Sequence, residues 1–481
     1  MPSDRTRSSP QRSVLDFDDP GSAAAFGGLP YAGQDAVLDD GTIVSVSIRS
    51  VGPLQMEMAI PGRPPRVIGS DRISIDRVSV SRKKRPMPPP DGVLVVSSLG
   101  RLDASLMPTG VSEKVLGAAE FVNLGPSLSM ESASDISALV DFAQTTRMVI
   151  SSPEWFRDEV VFASAIVRLV ASGVVCAVVG LPAGPLVGVD DRLKEALGCD
   201  LELLLEDDLE WAATMARQSR GVWLRHDTQI RWHETEEGWA PFVEAPPIPS
   251  VSVLLASMRP KRVPEVLRQI GGQRTVEAEV VVGLHTEDRA SVATVEAAMR
   301  DVGIGGTVAR FDPALPLGAM LNVMAERASG AFVTKWDDDD LYGPHHLEDL
   351  VVALRHSGSD LIGKRAEFVY FADANETIVR ETRGAERKAA ANVAGATLFT
   401  SRELFLAVGG FAPIPRAVDF QLQRRYRSLG LEVYRTHGFG FVVVRRPGAH
   451  TWSVSDEVLR ERAERVWSGV PEIADVFPYD G

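Results

Sequence analysis

The chain has 481 residues, 44% hydrophobic and 24% charged, with a formal net charge of -14. Such a length suggests more than one domain, and the composition is ordinary for a globular protein. The acidic balance argues against nonspecific binding to nucleic acid or anionic lipid. Two cysteines, Cys176 and Cys199, exclude a disulfide framework and stand in no CxxC spacing, which fits a reducing cytoplasm.

Residues 1–34 are rich in Ser, Pro, Gly and Asp and read as disordered; they contain no apolar stretch, so no secretory leader is expected. Residues 35–85 alternate polar and apolar positions in "GTIVSVSIRSV", "LQMEMAI" and "RISIDRVSV", the pattern of a small antiparallel β unit. A basic, proline-rich linker, "SRKKRPMPPPDG", follows.

Residues 92–244 read as an α/β domain with a parallel sheet and no assigned role. Apolar strands "GVLVVSSL", "RMVISS", "GVVCAVVGL" and "DLELLL" alternate with helical stretches such as "PEWFRDEVVFASAIVRLVAS". No GxGxxG or GxxxxGK[ST] loop occurs in it, and His226, Asp227 and His233 read as surface or structural residues. The uncharged run Leu169–Val189 has the length of a membrane span. Gly173, Gly180, Pro182, Gly184 and Pro185 break it, so a helix end, a buried strand and a loop are expected instead.

After a second linker, "EAPPIPS", residues 250–481 alternate again: strand "VSVLLAS", helix "VPEVLRQI", strand "EVVVGLH", helix "SVATVEAAMRDVG", strand "GTVARFD", helix "LGAMLNVMAERASG", strand "AFVTKW". The last strand runs directly into Asp337, Asp338, Asp339 and Asp340. Four adjacent carboxylates repel one another, and a cation is the usual reason to keep them. Ligands in open α/β sheets bind at carboxyl ends of strands. Mg²⁺ typically takes one or two carboxylates with water and phosphate oxygens, and Mn²⁺ is similar. Three simpler readings compete. A Ca²⁺ loop would use Asp337, Asp339 and Glu348 as positions 1, 3 and 12, but Leu341 and Tyr342 stand where a ligand and a glycine are needed. The others are a cap for the helix "PHHLEDLVVAL" and a merely solvated loop.

Five motifs in one order carry a resemblance: "VSVLLASMRP", "LGAMLN", "WDDDDLYGP", "GATLFTSRELFLAVGGF" and "VDFQLQRRYRSLG". Residues 250 to about 455 resemble family-two glycosyltransferases, which have the GT-A nucleotide-sugar-binding fold. The resemblance implies an α/β fold class: a GT-A-like mixed sheet flanked by helices, preceded here by the second α/β domain and the small β unit. It implies a metal-dependent, inverting transfer from a nucleotide-diphosphate sugar to a glycan or other hydroxyl acceptor, in polysaccharide or glycoconjugate synthesis, with Mn²⁺ or Mg²⁺ as cofactor.

Carried over by position, Asp339 matches the usual metal ligand and Asp337 and Asp338 match positions near ribose and metal. Asp340 closes the motif. Ser257, Arg259, Gly318 and Asn322 fall on the nucleotide-sugar side. Asp419 matches the general base, although Val418 replaces the glutamate that usually precedes it. His450 matches a late metal-binding histidine, with His437 as the other candidate, and Arg425 and Trp452 are further candidates. His285 stands where the family carries a base-reading aspartate; Asp288 comes too late. Arg445 or Arg446 would add charge at the leaving diphosphate. A non-catalytic nucleotide-binding scaffold and a nucleotidyltransferase stay open. The latter needs a Gly-rich, Arg-containing loop that "ASMRPKRVPE" does not supply. The expected location is cytoplasmic, with no transmembrane span and no nucleic-acid partner. Contact with the inner face of the membrane stays open.

Overall fold

The computed structural model describes residues 32–37, 43–52, 55–59, 66–69, 92–97, 119–123, 146–155, 159–171, 173–186, 189–223, 247–380, 388–389, 392–446 and 455–470. Strands β1 (Ala32–Val37), β2 (Ile43–Gly52), β3 (Gln55–Ala59) and β4 (Arg66–Gly69) form an antiparallel sheet in sequence order. A second sheet is wholly parallel, in the order β6-β5-β7-β8. Its strands are β5 (Gly92–Ser97), β6 (Ala119–Asn123), β7 (Thr146–Ser151) and β8 (Val175–Val178). Helices α1 (Glu159–Ala171), α2 (Asp191–Leu197), α3 (Leu201–Glu206) and α4 (Asp208–Trp223) follow β7 and β8.

The segment that resembled a membrane span is the end of α1, the buried strand β8 and a turn. Among the described residues no helix is long and apolar enough to cross a membrane. One expected strand is a helix: "DLELLL" becomes α3. The Asp200 side chain accepts hydrogen bonds from the backbone N–H groups of Glu202 and Leu203, and such a cap starts a helix whatever the strand propensity of the leucines.

The C-terminal part is a mixed α/β structure with a sheet flanked by helices. Its eight-stranded sheet has the order β11-β10-β9-β12-β18-β14-β19-β17. The parallel strands β9 (Val251–Ser257), β10 (Ala278–His285), β11 (Gly306–Phe311) and β12 (Phe332–Asp337) come first along the chain. β14 (Leu361–Gly363) and β19 (Val433–Arg435) share their direction. β17 (Lys388–Ala389) and β18 (Phe399–Ser401) run against it. A five-stranded sheet lies beyond: β13 (Leu341–Tyr342), β20 (Phe441–Arg445), β15 (Phe368–Phe371), β16 (Glu376–Arg380) and β21 (Ala463–Ser468), in that order. The helices are α5 (Val263–Gly271), α6 (Ala290–Val302), α7 (Leu317–Arg327), α8 (His346–Ser357), α9 (Arg402–Ala407), α10 (Val418–Ser428) and α11 (Asp456–Glu461).

Strand alternation sorts the core. Val253, Leu255, Val280, Val282, Leu284 and Trp336 point to the face covered by α5, α6 and α8, whereas Leu254, Val281 and Val333 face α7. α5 buries Val263, Val266, Leu267 and Ile270, a single stripe at helical spacing. Each such side chain is worth about 1.5–3 kcal/mol on burial. The chain moves outward from β9 through β10 to β11 and then returns to β12 on the other side of β9. The order therefore reverses between β9 and β12, and the carboxyl ends of strands at such a reversal are where open α/β sheets bind ligands.

The buried apolar core is continuous from β7, α1 and α4 into α5, α8 and β12. Ion pairs cross the same boundary. Arg220 on α4 donates to both oxygens of Asp349 on α8, at 2.6 and 3.2 Å, with both side chains buried. Arg192 on α2 does the same to Glu348, at 2.5 and 3.0 Å. Burial alone would raise the Glu348 carboxyl. The His345 and Arg192 hydrogen bonds and the Arg220 charge more than offset that and lower it from 4.5 to about 2. Asp349 is likewise held well below the usual carboxylate range, its burial outweighed by Arg220, Lys364 and His437.

These depressed values fix a sign. The stability both groups contribute is full above the unfolded-state value, 4.5 for Glu348, and is lost as pH falls toward about 2. Urea unfolding of the wild type between pH 5 and pH 2 should show a steep loss of stability (pH limits roughly those of ordinary carboxylates). Glu348→Gln should flatten the curve, and an unchanged curve would remove Glu348 from the account.

Candidate active site

The acidic run stands at the carboxyl ends of β9 and β12, where the strand order reverses. Asp337 is the last residue of β12 and pairs in register with Ala256, so it lies beside Ser257 at the end of β9. The next residues cross to the second sheet, where β13 pairs with β20. Side-chain exposure alternates along the run: 40% at Asp337, 5% at Asp338 and 24% at Asp339. β12 ends at Asp337, and Asp338 and Asp339 form the turn that follows it, with Asp338 the buried member.

Each aspartate has its own partner. Lys335 Nζ donates to Asp337 Oδ1 at 2.5 Å. Ser257 Oγ donates to Asp338 Oδ2, and the Arg259 guanidinium donates to both Asp338 oxygens. Arg259 also reaches Asp339 Oδ2 at 2.8 Å. Asp340 accepts the Val444 N–H at 3.0 Å. Its burial, then the charges of Asp337 and Asp339, push its carboxyl well above the usual range. Arg446 donates to the backbone carbonyl of Asp339 at 3.2 Å, while Arg445 pairs with Asp456 at 2.6 Å.

Lys335 is the residue that sequence reasoning missed. Burial pulls its ammonium down, but the carboxylates of Asp337, Asp419 and Asp340 more than offset this and raise it. It lies on the β12 face opposite Trp336. The signal was a lysine inside the otherwise apolar strand "AFVTKW", two residues before the first aspartate. Tyr342 was also missed. It stacks on Trp336 with ring centroids 3.8 Å apart, and its hydroxyl accepts the Asp337 N–H at 2.8 Å and donates to the Ala396 carbonyl at 3.2 Å.

Asp419 is in the first turn of α10, whose N-cap is Ala417 with φ 58° and no side-chain capping bond. A left-handed alanine is strained, and such strain collects at functional sites. The Asp419 carboxylate packs on Gly395; a Cβ there would meet its Oδ2 at 2.0 Å. Through Lys335 it belongs to the same charge group as Asp337.

Other candidates take scaffolding positions. Asn322 Nδ2 donates to the Phe411 carbonyl at 2.9 Å, and its Oδ1 accepts the Phe411 N–H at 2.7 Å. Gly318 lets α7 approach Ala412, whose carbonyl would meet a Cβ at 1.8 Å. Arg425 donates to the Gly410 carbonyl at 2.7 Å. All three shape the Gly-Gly-Phe turn that precedes Asp419. His285 ends β10, with Nε2 buried and without a hydrogen-bond partner; burial lowers its pKa. Asp288 bonds the Ala290 N–H and the Ser291 hydroxyl at the start of α6. His437 stands 3.8 Å from Asp349. His450 and Trp452 lie outside the described residues, as do His226, Asp227 and His233.

Two simpler readings of the acidic run are settled by position. Glu348, the would-be twelfth ligand of a Ca²⁺ loop, is committed to Arg192 and His345. Helix α8 starts at His346 with no side-chain cap, so none of the four aspartates caps it.

No protein-family profile matches the chain, and no curated protein does. Solved structures do match. The 1–349 segment of S. aureus TarS in complex with UDP-GlcNAc is 19% identical over 44% of this chain and 64% of that one, with a TM-score of 0.35. The same segment with UDP is 18% identical over 41% and 61%, with a TM-score of 0.34. The mannosyltransferase PcManGT from Pyrobaculum calidifontis, in complex with GDP-Man and Mn²⁺, is 18% identical over 43% and 60%, with a TM-score of 0.33. The chain thus spans less than two thirds of the length of each of these structures. At that distance no residue role passes from them to this chain.

Lys335→Met tests the charge group directly. It leaves Asp337, Asp340 and Asp419 without their shared ammonium. Asp337 is half exposed, so solvent screens part of the loss, and a decrease of about 1–3 kcal/mol in unfolding free energy is expected. Denaturant unfolding at neutral pH measures it; wild-type stability would show that Lys335 does not compensate these carboxylates.

Proposed function

We propose that the chain is a metal-dependent, inverting glycosyltransferase that moves a sugar from a nucleotide-diphosphate donor to a hydroxyl acceptor such as a glycan. The observation that carries this reading is the sorting of the acidic run. Asp337 and Asp339 keep partly exposed carboxylates at the strand-order reversal, each with one cationic neighbour, while Asp338 is turned inward onto Ser257 and Arg259. The five-motif resemblance of residues 250–455 supports it.

The donor set fits Mg²⁺ or Mn²⁺, because two carboxylates suffice when water and phosphate oxygens complete the shell. No cluster of three or more acidic, His or Cys ligands occurs among the described residues, and this chemistry requires none. Asp339 would hold the cation with Asp337 beside it. When bound, the cation acts as a Lewis acid on the diphosphate leaving group. Arg259 and Arg446 add positive charge at the same mouth. Ser257 and Arg259 fix the Asp338 side of the cleft, and His285 lies at the end of β10, two strands from β12.

Asp419 acts as general base. It takes the proton of the acceptor hydroxyl as that oxygen attacks the anomeric carbon from the side opposite the diphosphate, which inverts the configuration. Lys335 gives this carboxylate a countercharge from within the protein. The scaffold and nucleotidyltransferase readings are separated by turnover: only a glycosyltransferase releases nucleoside diphosphate and sugar from a nucleotide sugar.

Two measurements test this. Calorimetry with UDP and GDP should show binding that weakens about 10–100-fold when a chelator replaces Mn²⁺. Asp339→Asn should bind at the weaker level with or without the metal. Equal wild-type affinity in both conditions would sink metal dependence. A panel of nucleotide sugars with water as acceptor gives the turnover. In Asp419→Asn, kcat should fall about 10²–10⁴-fold with nucleotide affinity unchanged; wild-type kcat would refute the role of base.

A further inference from the structure

A buried chain of contacts leads from the first α/β part to the acidic run. Arg220 forks onto Asp349. The other cation on Asp349 Oδ2 is Lys364, whose Nζ lies 2.6 Å away and also donates to the Phe439 carbonyl. The neighbouring Gly440 carbonyl accepts the Gly343 N–H at 3.0 Å and faces His346 Nδ1 at 3.2 Å. His346 packs edge-on against both Trp336 and Tyr342. Tyr342 in turn holds the backbone of Asp337. Arg220, Asp349, Lys364, His346, Trp336 and Tyr342 are all buried.

Ion pairs this deep are a poor means of gaining stability, since apolar residues of similar volume often do as well or better. A forked arginine on a carboxylate fixes geometry, however. We propose that residues 146–223 form part of the frame of the active site, and that Arg220 is a positioning residue. Through Asp349 it sets the turn from Asp337 to Gly343. The first α/β part is then required for donor binding even though none of its described residues contacts the acidic run. This inference rests on the proposed function only for its ligand.

The test compares two ion pairs that join the same two parts of the chain. Arg465 on β21 forks onto Asp207, just before α4, at 2.6 and 2.9 Å, but it is partly exposed and leads to no residue of the cleft. Arg220→Met and Arg465→Met are made in the full chain. Amide hydrogen exchange of peptides covering residues 332–346 is followed by mass spectrometry. Calorimetry with UDP and GDP in Mn²⁺ runs beside it.

Arg220→Met should speed exchange at residues 337–343 and weaken nucleotide binding by about tenfold or more, as loss of an outer support does. Arg465→Met should change neither. Unchanged exchange in Arg220→Met overturns the proposal, and so does an equal change in both variants, which would mean general loosening. Arg220→Lys keeps the charge, loses the fork, and serves if the methionine variant does not fold. It should show a smaller acceleration in the same peptide, and wild-type exchange in it overturns the proposal. If the wild-type chain binds neither nucleotide, the proposed function fails, and exchange alone decides the role of Arg220.

Discussion

Repulsion among the carboxylates at the end of β12 is the constraint to which the surrounding structure answers. Two like charges 4 Å apart repel by about 4 kcal/mol at an effective dielectric of about 20. Four in sequence would unravel a strand end without countercharge. The fold supplies two cations from two directions. Lys335 comes from β12 itself, and its buried ammonium lies under Asp337. Arg259 comes from the turn after β9 and spans Asp338 and Asp339. Lys335 reaches Asp337 along its own strand, and Arg259 reaches the run because β9 and β12 are neighbours where the strand order reverses.

The same constraint separates two kinds of residue inside one set of motifs. Gly318 packs on Ala412, Asn322 bonds Phe411 and Arg425 bonds Gly410. They build the turn that delivers α10, and with it Asp419, to the cleft. Asp338, Asp339, Ser257 and Arg259 meet one another directly, and Asp337 meets Lys335. Motif residues near a site in sequence therefore divide into those that carry charge and those that hold backbone. Asn322 illustrates the second kind, since both ends of its amide are bonded to Phe411.

Much of this was legible in the sequence. From β9 to β12 each strand and helix lies where its hydrophobic period places it, because helices cover both faces and leave β9 and β10 nearly continuous apolar runs. The acidic run at a strand end was legible for the same reason. Three things were not. The "DLELLL" helix depended on one capping aspartate that outweighs the propensity of its neighbours. The countercharge from Lys335 depended on which strand face it occupies and on α10 approaching that face, a contact between residues far apart in the chain. The ion pairs of α8 with Arg192 and Arg220 depended on two stretches of sequence that share no motif.

Exposure along the run then shows why four aspartates are not four copies of one ligand. Asp338 and Asp339 lie in the turn that follows β12, and there Asp338 is turned inward onto Ser257 while Asp337 and Asp339 stay partly exposed. Asp340 accepts the Val444 N–H, and desolvation together with the charges of Asp337 and Asp339 favours its protonated form. Asp338 and Asp340 tie the end of β12 to β9 and to β20, and Asp337 and Asp339 stay partly exposed. Without Asp338 and Asp340 the joint between the two sheets loses its polar fastening, so two of the four carboxylates are accounted for by structure alone.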